Sequence, residues 1–155
     1  MNTPIISIKP RYTRYIYQGN KIVELRKKIG KEFREGKQIY IYSSTPVKQI
    51  SGKATINAIE ISNIETIRHK HLKAACIDTL SFDEYYQNHT QGVLIWLTDV
   101  YQFENGPTLE QLRKVGFNPP QSYCYATKKV EELLNNSDLL VRKVHQKMKK
   151  LKSVI

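Results

Sequence analysis

The chain has 155 residues, 40% of them apolar, with ten Tyr, four Phe and one Trp. That is enough for one domain with its own core, and it excludes a chain disordered along most of its length. The formal charge of +11 is uneven: 12 Lys/Arg stand against three Asp/Glu in residues 1–53, five against eight in 54–127, and eight against three in 128–155. A basic amino-terminal third and a basic tail would form one positive face if the fold joins them, which is the footprint of a nucleic-acid binder. No apolar run nears the ~20 residues of a membrane span. No secretory h-region follows Met1, so a cytoplasmic protein with no membrane partner is expected.

Ile5-Ile6-Ser7-Ile8 reads as a β-branched strand, ended by Lys9-Pro10. Pro10 suits a helix start because its missing N–H would be unpaired there anyway. Aromatic or apolar residues at 12, 15 and 16 give a short helix that Gly19 stops. Lys21–Lys28 alternates, with Ile22, Glu24 and Arg26 opposite Val23 and Leu25, as a strand with one polar side does. After a charged connection, Gln38–Ser43 sets Ile39 and Ile41 against Tyr40 and Tyr42. Gly52–Ile61 alternates again, with Ala54, Ile56 and Ala58 on one face and Thr55, Asn57 and Ile59 on the other.

Ile64–Ala75 has helical character, and Ser81-Phe82-Asp83-Glu84 reads as a capping box with Ser81 as N-cap. Gly92–Phe103 is nearly continuously apolar and predicts a strand buried on both faces. Thr108-Leu109-Glu110-Gln111 is a second capping box, whose helix Gly116 ends. Pro119–Tyr125 is a pinned loop entering a last strand. Lys128 onward is expected to be helical, interrupted near Asn135–Ser137, where Ser137 or Asp138 would cap a final basic helix over 139–155. The expected fold is α+β, a small β-barrel of five to six strands with surrounding helices. Residues 1–127 form the domain, and 128–155 a basic helical extension packed on it.

Cys76 and Cys124 lie far apart and lack metal-ligand spacing, as do His69, His71, His89 and His145. Free thiols in a reducing compartment are expected, with no metal site. The residues imply no cofactor and leave divalent-metal dependence and oligomeric state open. Chemistry concentrates in three places. Lys21, Glu24 and Arg26 bring a carboxylate between two cations, either as a structural ion pair or as a phosphate or proton-transfer site. Tyr42, Ser43, Ser44, Thr45 and Lys48 gather hydroxyls and a cation, which suits either a turn or a phosphodiester-cleaving site that works without histidine. Gln121 and Ser122 sit on the proline-pinned loop.

Taken together, Ile-Ile-Ser-Ile-Lys-Pro-Arg-Tyr (5–12), Gly-Asn-Lys-Ile-Val-Glu-Leu-Arg (19–26), Ile-Tyr-Ile-Tyr-Ser-Ser-Thr-Pro-Val-Lys (39–48) and Pro-Pro-Gln-Ser-Tyr-Cys-Tyr (119–125) resemble, in that order, the ASCH domain family of the PUA-like superfamily. The resemblance covers residues 4–126. It implies a PUA-like barrel whose cleft holds the Lys21–Arg26 segment, and RNA or other nucleic acid as the partner, either bound and weakly cleaved or bound by a non-catalytic regulatory module. Lys9, Arg11, Lys21, Arg26 and Lys48 would contact phosphate, Gln121 would line the site, and Tyr42 and Tyr123 would stack on bases. Some ASCH proteins are ribonucleases that use a Tyr, a Lys six residues later and a distant Ser, a pattern that Tyr42, Lys48 and Ser122 match. Others are amidohydrolases of N4-acetylcytidine. Lys21 matches their Lys, but Glu24 stands where they carry a nucleophilic Thr, and Glu84 would stand for their distant carboxylate.

Overall fold

Seven strands and six helices alternate along the chain in a computed structural model that describes residues 2–136 and 139–150. Strand β1 (Pro4–Ile8) leads into helix α1 (Pro10–Tyr17), with Pro10 in its first turn and Gly19 at φ +83° just past its end. Strands β2 (Val23–Arg26), β3 (Gln38–Ser43) and β4 (Gln49–Asn63) follow. Three short helices, α2 (Ile64–Lys70), α3 (Leu72–Ala75) and α4 (Thr79–Tyr85), separate β4 from β5 (Gln91–Phe103). Then come α5 (Leu109–Arg113), β6 (Tyr123–Tyr125), α6 (Lys128–Asn136) and β7 (Val141–Lys143).

The strands make one curled sheet in the order β2-β5-β4-β3-β1-β6, and β7 joins β5 outside that path. All neighbours are antiparallel except β1 and β3. The two ends of this half-barrel are therefore β2 and β6. Its concave face holds Ile6, Ile8, Ile39, Ile41, Ala54, Ile56, Val93, Ile95 and Leu97, with Ile16 of α1 closing over them. The other face is covered twice. Helices α5 and α6 bring Leu109, Leu112, Val130 and Leu134 against Ile5, Tyr42 and Ile50. Helices α2–α4 bring Ile67, Ala75 and Phe82 against Val23, Leu25, Leu94 and Trp96. As its apolar run predicts, β5 is buried on both faces.

Three local expectations change. The helix expected over 64–75 breaks at His71, whose φ of −125° leaves the helical region and divides α2 from α3. Helix α4 is capped by Asp78, whose carboxylate accepts from the Ser81 N–H at 2.8 Å, and not by Ser81. In β4 the register shifts between Ile56 and Ala58. The extra residue exchanges the faces, so Ala58 packs on the Trp96 side and Ile59 on the concave core.

The largest change is at the carboxyl end. The basic helix expected from Leu139 onward does not form through residue 150, where the chain instead makes β7 and an extended run. Strand β2 pairs with β5 only at Val93–Trp96, which leaves the far half of that edge open, and β7 fills it at Tyr101–Phe103. Val144 then enters the concave core, Met148 packs beside Trp96, and the Lys147 N–H donates to the Gly19 carbonyl at 2.8 Å. Any side chain at Gly19 would collide with the His145 carbonyl. The proposed caps Ser137 and Asp138 lie outside the described residues. No helix among the described residues is long and apolar enough to cross a membrane.

Candidate functional site

The half-barrel is joined at its open seam by one side chain. Glu24 and Arg26 pair with Ile95 and Val93 across β2 and β5, and so face the concave side at the sheet's edge. From there Arg26 donates to the Ser7 carbonyl of β1 at 2.7 Å, and to the Ser122 carbonyl and hydroxyl at 3.4 and 3.2 Å. It also donates twice to Glu24 Oε2, at 3.1 and 2.7 Å. These five contacts match the five N–H donors of a guanidinium. Arg26 is thus saturated as a latch between the sheet's two ends, with all five donors engaged within the protein.

Lys21 is only 3% exposed. Its ammonium donates to the Ala75 carbonyl at 2.8 Å, meets Glu24 Oε1 at 3.1 Å and lies 5.2 Å from the centre of the Tyr12 ring. Two of its three N–H groups are so occupied, and the third is available to the cleft. Burial pushes the Glu24 carboxyl up, but the Lys21 and Arg26 charges and hydrogen bonds outweigh it and hold the group below the usual carboxylate range. A carboxylate held down in this way is a weak proton acceptor. Position 24 also lacks the hydroxyl of the amidohydrolase pattern.

A cavity of about 660 Å³ opens beside this ion network. Its walls are Ser7, Lys9, Arg11 and Tyr12 from β1 and α1, Ser44 from the turn after β3, Ser81, Glu84 and Tyr85 from α4, and Pro120 and Gln121 from the pinned loop. Arg11 shares its charge with Asp78 at 3.2 Å, with both groups half exposed. Tyr85 lies under the Lys27 ammonium, 4.6 Å from its ring centre, and burial raises its phenol pKa. The cleft therefore brings together Lys9, Arg11, Lys21 and Gln121 as expected from the sequence. It adds Tyr12 and Tyr85, two aromatic walls that no local pattern distinguishes from core tyrosines.

Other expected residues lie elsewhere. Tyr42 is 1% exposed and packs edge-on against Phe117, with ring centres 5.5 Å apart, so its ring offers no face to a base. Burial raises its phenol pKa, and Arg113 is the charge opposing that shift. Tyr123 packs edge-on against Phe33 at 4.9 Å. Lys48 is exposed and lines a second cavity with residues of α5. Ser122 is held at the seam by Arg26. No hydrogen bond joins Tyr42, Lys48 and Ser122 among the described residues. Yet Tyr42 pairs with Ser7, and the Ser7 N–H donates to the Ser122 carbonyl at 2.9 Å, so Tyr42, Ser7 and Ser122 form one row across the sheet. Cys76 and Cys124 are free and half buried, and burial raises both thiols. Among the described residues no His, Cys, Asp and Glu cluster could hold a metal ion.

A curled half-barrel with helices on its outer face, and a seam cleft built on Lys21, Glu24 and Arg26, fits the resemblance to ASCH domains. The comparisons agree. The chain belongs to the family described as "Domain of unknown function (DUF365)", whose model matches residues 3–117. It is 27% identical over 132 residues to a protein of Zymomonas mobilis subsp. mobilis named ASCH domain-containing ribonuclease, covering 84% of this chain and 88% of that one. The crystal structure of ASCH from Zymomonas mobilis superposes with a TM-score of 0.79 at 25% identity, covering 92% of this chain and 98% of the other. A tyrosine-to-phenylalanine variant gives 0.80 at 24% identity over 92% of this chain and all of the other, a likeness of fold. A serine-to-alanine variant gives 0.78 at 25% identity, over 86% of this chain and 94% of the other.

Proposed function

We propose that this chain is an RNA-binding ASCH protein that holds a single strand in the seam cleft and cleaves it slowly. The observation that carries the reading is the cleft itself. Lys9, Arg11 and Lys21 supply positive charge beside two tyrosine walls, Tyr12 and Tyr85, in a cavity wide enough for a nucleotide. The similarity to a protein named ribonuclease, over most of both chains, supports RNA as the polyanion. Phosphate contacts fall to Lys9, Arg11 and Lys21, base stacking to Tyr12 and Tyr85, and base-edge contacts to Gln121.

Cleavage is assigned to Tyr42, Lys48 and Ser122, which do not line the cleft but stand at its border, beside its lining residues Ser7, Ser44 and Gln121. Cutting RNA requires compensation of the charge that builds on the phosphorus oxygens and a proton for the leaving oxygen. An exposed lysine suits the first role. A phenol is protonated at neutral pH and serves as the proton donor, and because burial raises the pKa of Tyr42 it is a weak one, in keeping with slow cleavage. Tyr42 and Ser122 stand two strand spacings apart, roughly 10 Å, a span that a backbone segment would bridge. A tyrosine and a serine are also the residue types replaced in the crystallised variants of the Zymomonas mobilis protein. The test is cleavage of end-labelled single-stranded RNA, with and without a chelator, by the parent and by Tyr42→Phe, Lys48→Ala and Ser122→Ala. Each variant is expected to lose on the order of 10²-fold in rate. Parent-like cutting by all three would remove the catalytic assignment.

A further inference from the structure

A second cavity of about 520 Å³ lies beyond the turn that borders the cleft, lined by Lys48, Leu109, Glu110, Arg113 and Lys114. It holds three cations against one carboxylate. All four charged side chains are exposed, and no ion pair within 4.0 Å engages any of them among the described residues. Ion pairs elsewhere among the described residues engage Arg11, Lys21, Arg26, Arg34, Lys37, Arg68 and Lys150, so it is the gathering of three unpaired cations in one concavity that sets this place apart. Unpaired like charges gathered in a concavity repel one another, and an anion bound there relieves that repulsion.

The cavity is also fixed in place relative to the cleft. Ser44 lines the cleft and Lys48 the second cavity, and the turn between them is closed by N–H groups of Val47 and Lys48 donating to the Ser44 carbonyl at 3.0 and 3.3 Å. The far wall is tied to the same turn, because the Leu109 N–H donates to the Lys48 carbonyl at 2.9 Å and Gln49 bridges Thr108. Turn and helix α5 thus form one unit, with a cationic concavity on one side and the cleft on the other. A polyanion leaving the cleft across this turn meets Lys48, then Arg113 and Lys114.

We propose that Arg113 and Lys114 form a second phosphate-binding subsite beyond Lys48, which takes the backbone of the same RNA strand on the far side of the turn from the nucleotide in the cleft. The proposal rests on the RNA-binding reading above. Occupancy of both sites makes affinity rise with strand length, because a strand too short to cross the turn gains nothing from Arg113 and Lys114. Glu110 opposes the bound phosphates and limits the affinity of the subsite.

The experiment is fluorescence anisotropy of labelled single-stranded RNA over a salt series, with a dinucleotide and with a strand of about a dozen nucleotides, a length within the ~4–16 nucleotides that one small barrel can cover. Arg113→Glu with Lys114→Glu should weaken the long strand about tenfold or more and make its salt slope shallower by about 1.4, two contacts at ~0.7 each. Dinucleotide binding should not change. Glu110→Gln should tighten the long strand, a gain that misfolding cannot mimic. Equal affinity and equal slope for the long strand in parent and double variant would overturn the subsite while leaving cleft binding intact. Failure of the parent to bind either RNA would overturn the RNA reading and the subsite with it.

Discussion

At the scale of single residues, Glu24 holds the seam together. Among the described residues it is the only carboxylate paired with both Lys21 and Arg26, and all three side chains are nearly buried. Glu24→Gln would leave two buried cations without their counter-charge and is expected to cost about 3–5 kcal/mol, read by denaturant unfolding. The same residue sets a pH dependence. Its folded pKa lies below the unfolded value, so its stabilisation is fully present above the usual carboxylate value of ~4.3 and is lost as pH falls through the lowered folded value. Acid unfolding of the parent should show this loss, and Glu24→Gln should flatten it. Arg26→Lys keeps the charge but forfeits the planar fork. It should destabilise by about 2–3 kcal/mol and speed hydrogen exchange of the β6 amides, because the latch to Ser7 and Ser122 opens. A variant as stable as the parent would show that Arg26 is not a latch.

Among the secondary-structure elements, the tail separates two accounts of the carboxyl end. A solvated basic helix would be indifferent to Gly19, whereas a chain crossing Gly19 to complete the β5 edge is not. Gly19→Ala meets both a φ of +83° and the His145 carbonyl, and is expected to cost at least about 1–2 kcal/mol in thermal or denaturant unfolding. An unchanged midpoint would contradict the strand assignment. The elements that the sequence made legible carry local signals: β-branched alternation in β3, the unbroken apolar run of β5, and the Thr108 capping box, with both of its hydrogen bonds formed. The tail was not legible because Leu140, Val141, Val144 and Met148 fit a helical stripe as well as they fit an edge strand. What decides between the two is the open half of β5, a fact about pairing 38 to 42 residues away. Asp78 displaced Ser81 as cap for a related reason: two capping patterns three residues apart overlap, and only the path from α3 selects one.

For the molecule as a whole, the order of motifs along the chain made the half-barrel and the position of its cleft readable in advance. The division of labour inside the cleft was not. Lys21, Glu24 and Arg26 look alike as site residues in sequence, yet Arg26 spends all its donors joining the sheet's ends while Lys21 commits two of its three to Ala75 and Glu24. Tyrosines face a similar ambiguity, since Tyr42 is in the core and Tyr12 and Tyr85 line the cleft. Replacing Tyr12 or Tyr85 by Ala should weaken single-stranded RNA binding by about 1–3 kcal/mol each, measured by anisotropy. The charge of the molecule predicts a further property: affinity should fall linearly on a log–log plot against salt.

The most direct measurement is titration of labelled single-stranded RNA with the parent and with Lys9→Glu combined with Arg11→Glu, two changes at the cleft mouth that leave the buried network untouched. Binding that weakens about tenfold or more in the variant, with a shallower salt slope, is the predicted result. RNA bound equally well by both proteins, or by neither at low salt, would contradict the seam cleft as the place where this chain meets nucleic acid.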